Sequence, residues 1–228
     1  MSPSHERLCL HEEVLLVALH DEKGSVQSQS TCGLAMGGAM LSELLLLGRL
    51  RLEGEGKKAT VALVDGPPTG HGVLDECLGM VGDSRKRRAS DWVGRFARIK
   101  DLRGRTADEL VRLGVLRREE GTFLIIFPVT RYPEADPTFE AEVNGRLGEA
   151  IFGDGPVDDA RTVTLLAILD NAQMLPLVFN RKDLRARKKR IKAVTSGDAS
   201  GAAVKSAVEA MQAAVIVACT VATTAAAS

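Results

Sequence analysis

The sequence predicts a mainly α-helical protein: a single compact helical domain, with central apolar helices ringed by amphipathic ones and two β-hairpins among them. Three observations carry that expectation. Hydrophobic residues make up 45% of the 228 positions but aromatics only 4%, and a core rich in Leu, Ala and Val suits helix-on-helix packing better than stacked sheets. The run from Cys32 to Leu47 holds one charge, Glu43, so it has no polar face for solvent and belongs at the centre. Other apolar stretches are short and punctuated by Gly and Pro, which marks turns. The length fits one domain over residues 1–228, with residues 1–6 expected to be flexible.

The elements follow in order. Leu10 to His20 is dense in apolar residues, and Glu12 and Glu13 fall where acids complement a helix N-terminus. Cys32 to Leu47 forms the second helix, with Gly48 placed to end it. Arg49–Glu53 and Ala59–Val64 flank Gly54-Glu55-Gly56 as a first hairpin, closed by Pro67-Pro68. Helices around Val73–Met80 and from Asp91 to about Arg98 bracket Arg85-Lys86-Arg87-Arg88.

Thr106 to Leu113 opens with the capping-box pair Thr106 and Glu109 and stops at Gly114. Val115 to Phe127 has the pattern of a second hairpin, turning at Glu119–Thr122, with Phe123, Ile125 and Phe127 on one strand face and read as core. Asp136-Pro137 caps and opens a helix to about Phe152, and Asp158-Asp159 starts another through Leu169. Arg181 to Lys192 is helical by propensity and too basic to be buried. Ser200 to Ala226 reads as an Ala-rich closing helix. There is no internal repeat.

Lys+Arg and Asp+Glu both number 30, but the balance is uneven. Arg85 to Arg103 holds eight bases and two acids, Arg181 to Lys192 eight bases and one acid, so the remainder carries a net charge of −13. Two concentrated basic segments on a neutral chain suit a polyanionic partner, a phospholipid surface or a nucleic acid; solvated helix faces are the bland alternative. The four cysteines show no CxxC pair, so neither a zinc ribbon nor a disulfide framework is implied. The N-terminus lacks a basic, then apolar leader, and Ala213–Ala227 falls short of the ~20 strongly apolar residues that cross a bilayer, so a cytoplasmic location is expected.

Catalytic motifs are missing. His11-Glu12-Glu13-Val14-Leu15 lacks the second His of a zinc-protease helix, and no GxSxG, Walker loop or GxGxxG occurs. Gly33, Gly37 and Gly38 lie in an apolar helical run, where close helix packing explains them. His5, Cys9 and His11 come nearest to metal-ligand spacing but have no matching second pair, and no metal or cofactor is expected. Trp92 is either an interfacial anchor or, spaced helically with Phe96, a core residue.

Several blocks in order resemble the Golgi phosphoprotein 3 family: Leu8-Cys9-Leu10-His11-Glu12-Glu13-Val14-Leu15-Leu16, Met40-Leu41-Ser42-Glu43-Leu44 with Gly48-Arg49, Leu110 to Leu116, Phe123–Phe127, and Arg161 through Leu169. Arg131 to Pro137 is similar to the bacterial branch. The resemblance implies a non-enzymatic, mostly helical protein peripheral on the cytosolic face of a membrane, the Golgi in a eukaryote. It implies binding of phosphatidylinositol 4-phosphate, recognition of cytosolic tails of membrane proteins, and self-association through a membrane-entering hairpin.

Carried over by position, the lipid head-group residues fall on Lys100 and Arg103. The membrane-facing hairpin falls on Glu119, Glu120, Gly121, Thr122, Phe123 and Leu124. The family's pocket Trp and second Arg fall near Ser28 and on Gly37, so both are absent here. Anionic-lipid attraction is therefore expected to outlast head-group selectivity.

Two other readings stand beside this one. Thr106–Leu113 followed by a hairpin with Arg117-Arg118 has the outline of a winged-helix nucleic-acid binder, against which the net charge of zero weighs. The acidic remainder, at Asp75-Glu76, Glu140–Glu142 and Asp154–Asp159, also suits an adaptor that holds basic tails.

Overall fold

A computed structural model describes residues 7–19, 26–54, 56–123, 127–201 and 204–205. The expected flexible residues 1–6, and all of the expected closing helix but Ser200, Gly201, Val204 and Lys205, lie outside them. Helix α1 (Leu10–Leu19) packs along α2 (Val26–Leu46), and α2 also meets α4 (Ala89–Phe96) and α7 (Ala160–Asn171). Leu10, Val14, Met36, Met40, Leu41, Leu44 and Leu165 have almost no exposed surface, so the two apolar runs are the core, as a chain with no polar stripe to spare requires. Helix α2 starts six residues earlier than expected: Val26 to Thr31 is polar but contains no helix breaker.

Local caps end the helices where the sequence places them. Gly48 takes φ +65°, and the Gly48 and Arg49 amides donate to the Leu45 and Leu44 carbonyls, closing α2 with a left-handed turn that favours glycine. The Asp136 carboxylate accepts from the Thr138 amide at the start of α6 (Pro137–Phe152), and the Asp159 carboxylate accepts from the Arg161 and Thr162 amides at the start of α7.

Further expectations need correction. The first hairpin, β1 (Leu50–Glu53) and β2 (Thr60–Leu63), gains a third antiparallel strand, β3 (Arg87–Arg88), from the basic run after α3 (Gly72–Gly82). Helix α5 spans Leu102–Arg112, not Thr106–Leu113; Ile99 and Leu102 are buried and pull the preceding turn onto the core, which leaves Thr106 a buried interior residue rather than a cap.

The second hairpin pairs β4 (Glu119–Phe123) with β5 (Phe127–Arg131), from Glu119 opposite Arg131 to Phe123 opposite Phe127. Residues Glu119–Thr122 are therefore strand, not turn. The register is set at the base, where Leu116 bridges Glu134 and the Arg117 amide donates to the Pro133 carbonyl, so Gly121 lands opposite Val129 instead of at a bend. Leu124, and the side chains expected to make Phe123, Ile125 and Phe127 core, lie outside what is described.

The C-terminal basic segment divides into α8 (Arg181–Ala186) and α9 (Lys188–Thr195) at Arg187. It is not wholly solvated. Ile191 and Val194 are buried, the Arg187 guanidinium donates to the Phe152 carbonyl, and Arg190 Nε donates to the Ala150 carbonyl at 3.1 Å. Both arginines thus meet the carbonyl end of α6, where cations are favoured.

Candidate functional site

The first basic segment is arranged by the α4–α5 junction. Trp92, Val93 and Phe96 face the core from α4, with the Trp92 and Phe96 ring centroids 5.5 Å apart and the Arg95 guanidinium 5.3 Å above the Trp92 ring. Trp92 is 1% exposed, which makes it core and removes it as an interfacial anchor or a substitute for the family's pocket Trp. Ile99 is buried and anchors the turn, so its neighbours Arg98 and Lys100 are left exposed.

Asp101 then adopts a left-handed conformation (φ 52°, ψ 36°), tolerated by Asp more readily than by most residues. It launches α5 without a side-chain cap bond. Arg103 lies in the first turn of α5, half-buried, and its charge is felt at the Cys32 thiol on α2. That turn contains no acid. Lys100 and Arg103 therefore flank a helix N-terminus, and neither meets a carboxylate within 4.0 Å among the described residues. Two nearby cations are occupied: Arg105 with Glu76 at 2.7 Å and Lys86 with Glu53 at 2.5 Å.

Gly37 explains one absence physically. A Cβ there would stand 2.5 Å from the Val93 carbonyl oxygen and 3.0 Å from the Ala97 nitrogen. Helices α2 and α4 touch through that glycine, and no arginine fits in this packing. Ser28 falls within α2, and its side chain lies outside what is described.

Sequence reasoning passed over a second cluster. Glu12, Glu13 and Glu43 are fully buried. Glu13 accepts from Arg146 at 2.5 Å. Glu43 accepts from Arg161 at 2.6 Å and from the Leu10 amide at 2.8 Å, while Arg161 also donates to the Leu8 carbonyl at 2.8 Å. Burial pushes the Glu13 carboxyl up, against the pull of Arg146. Burial opposes the charge of Arg161, but the hydrogen bond and charge of Glu43 outweigh it and hold the guanidinium firmly protonated.

Glu12 spends one oxygen on the Cys9 amide at 2.7 Å, and burial lifts its carboxyl to about 7. His11, buried beside His71, is driven down to about 3 chiefly by burial. Cys9, Glu12 and His71 bring a sulfur, an oxygen and a nitrogen within 4.8 Å of one another; His5 of the sequence-spaced trio lies outside the described residues. The available signal was the oddity of charges inside apolar runs, Glu43 alone in α2 and Arg161 opening α7, which implies mutual neutralisation across the core.

The fold and these two clusters define a helical domain that matches two buried carboxylates, Glu13 and Glu43, with arginines and whose α4–α5 corner presents free cations. The sequence profile of the Golgi phosphoprotein 3 family (GPP34) matches residues 10–211. The chain is also similar to the vacuolar protein sorting-associated protein 74 of Schizosaccharomyces pombe, 29% identical over 160 residues, covering 62% of this chain and 47% of that one. The protein of the same name from Eremothecium gossypii is 28% identical over 159 residues, covering 61% and 48%. The chain thus spans about half the length of the curated relatives it matches, and it belongs to the Golgi phosphoprotein 3 family. Among the described residues no helix is long and apolar enough to cross a membrane.

Proposed function

We propose that the protein is a non-enzymatic peripheral membrane protein whose α4–α5 corner binds the phosphates of anionic lipid head groups, phosphatidylinositol 4-phosphate among them. The observation that carries this reading is the pair Lys100 and Arg103, which meet no carboxylate within 4.0 Å among the described residues although the residue that launches α5 between them, Asp101, is itself an acid. Two cations on one corner draw an anion through charge-assisted hydrogen bonds, which arginine can make in pairs. Arg85, Arg88 and Arg98, all exposed, add general attraction at about 1 kcal/mol per basic residue held near an acidic surface.

Family membership and the name of the relatives, vacuolar protein sorting, support a trafficking role at a membrane. Selectivity for one head group is weak in this reading, because Gly37 cannot give way to the missing arginine and Trp92 is buried. The β4–β5 hairpin, Glu119 to Phe123 with Leu124 beyond it, is the element we assign to the membrane side.

Co-sedimentation at ~0.15 M salt, where screening acts over about 8 Å, tests this. Vesicles with phosphatidylglycerol and vesicles with phosphatidylinositol 4-phosphate, matched in charge, are expected to bind the protein within a few-fold of each other, and neutral vesicles not at all. Lys100→Glu/Arg103→Glu is expected to weaken both by tenfold or more. A wild-type protein left in the supernatant with every acidic vesicle overturns the reading.

A further inference from the structure

The trio at the start of α1 has unspent valence that the buried ion pairs do not use. Cys9 precedes the first turn of α1 and Glu12 lies within it, while His71 is the residue before α3 and makes no side-chain cap bond. Glu12 is 1% exposed, yet its Oε1 has no hydrogen-bond donor, and the nearest candidate, His71 Nδ1, stands 3.9 Å away without a partner of its own. Buried polar atoms are almost always satisfied, and an orphan carboxylate oxygen is among the costliest exceptions. Glu13 and Glu43 already hold Arg146 and Arg161, so Glu12 is the acid without a full cationic partner. Two lone pairs and a thiol therefore converge on one point beside a deficit of positive charge.

We propose that Cys9 Sγ, Glu12 Oε1 and His71 Nδ1 bind one Zn²⁺ ion, leaving a fourth position open. A mixed sulfur, nitrogen and oxygen set suits zinc, whereas calcium and magnesium take oxygen alone. Tetrahedral bonds of about 2.0–2.3 Å place ligand atoms roughly 3.5 Å apart. The observed spacing within 4.8 Å closes by about 1 Å when the three side chains rotate onto the ion. His71, 24% exposed, provides the approach from solvent. As the ion binds, the Cys9 thiol, and the Glu12 carboxyl where it is protonated, release their protons to solvent. The thiolate and the Glu12 carboxylate then balance the two charges of the ion, and the proton-linked cost of ionising a buried thiol is met by coordination. The ion would tie the beginning of α1 to the beginning of α3.

The test uses the full chain, stripped with chelator and then dialysed against Zn²⁺ or Co²⁺. The expected results are one metal per chain by elemental analysis, a higher melting temperature with Zn²⁺, and a thiolate-to-cobalt charge-transfer band with Co²⁺. His71→Ala, on a partly exposed side chain, and Cys9→Ser are each expected to weaken binding at least tenfold, and Cys9→Ser to abolish the band. Failure of the wild type to take up metal at micromolar Zn²⁺ overturns the proposal. So does a band that survives Cys9→Ser, or a His71→Ala variant that binds as tightly as the wild type; the latter holds even if Cys9→Ser does not fold.

Discussion

The interior of α1, α2, α6 and α7 and the surface around the α4–α5 junction both concentrate charge, and they use it in opposite ways. Inside, the Glu13 and Glu43 carboxylates, 1% and 3% exposed, are each engaged by an arginine. Arg161 also donates to the Leu8 carbonyl. Outside, Lys100 and Arg103 have no acid partner among the described residues. A buried charge must be matched by the fold because water cannot reach it, whereas an exposed charge is matched by solvent until a ligand arrives. The role of a cation in this protein therefore follows from what already neutralises it.

Removing one partner inside should produce the largest effect. Arg161→Met strands the Glu43 carboxylate in the core and is expected to cost about 3–5 kcal/mol in denaturant unfolding. The double variant Glu43→Gln/Arg161→Met is expected to recover much of that loss, because no unpaired charge remains. Recovery of nothing would mean that the pair matters through packing rather than through charge.

Gly37→Ala comes next. Its Cβ would meet the Val93 carbonyl oxygen at 2.5 Å, and the strain of separating α2 from α4 is expected to cost about 1–3 kcal/mol. A neutral outcome by thermal melting would show that these helices can part and would reopen the position to a larger side chain.

The surface should respond least. Arg118, half-exposed and 3.3 Å from Asp108, is expected to lose under about 1 kcal/mol on Arg118→Ala. Lys100→Glu/Arg103→Glu is expected to shift stability by no more than about 0.5 kcal/mol while vesicle binding falls. A large drop in melting temperature for that double variant would show that Lys100 and Arg103 hold the fold together rather than stand free at its surface.

The sequence by itself determined the helical class, the central pair of apolar helices, and the caps at Gly48, Asp136 and Asp159. Each of these depends on residues within a few positions of one another, so chain-local chemistry suffices. Charge counting also put Lys100 and Arg103 in a basic segment, and their head-group role is what the resemblance implies. Only the tertiary structure decided the rest. Glu43 meets Arg161 from 118 positions away and Glu13 meets Arg146 from 133, and no local pattern encodes which buried acid meets which base. The hairpin register was decided at its base by Leu116 and Glu134, which overrode the turn preference of Gly121. The start of α5 was decided by burial of Leu102, which overrode the capping-box pattern at Thr106. Cys9, Glu12 and His71 converge for the same reason: ligand geometry is a property of packed helices, and spacing along a chain records it only when the ligands share one element.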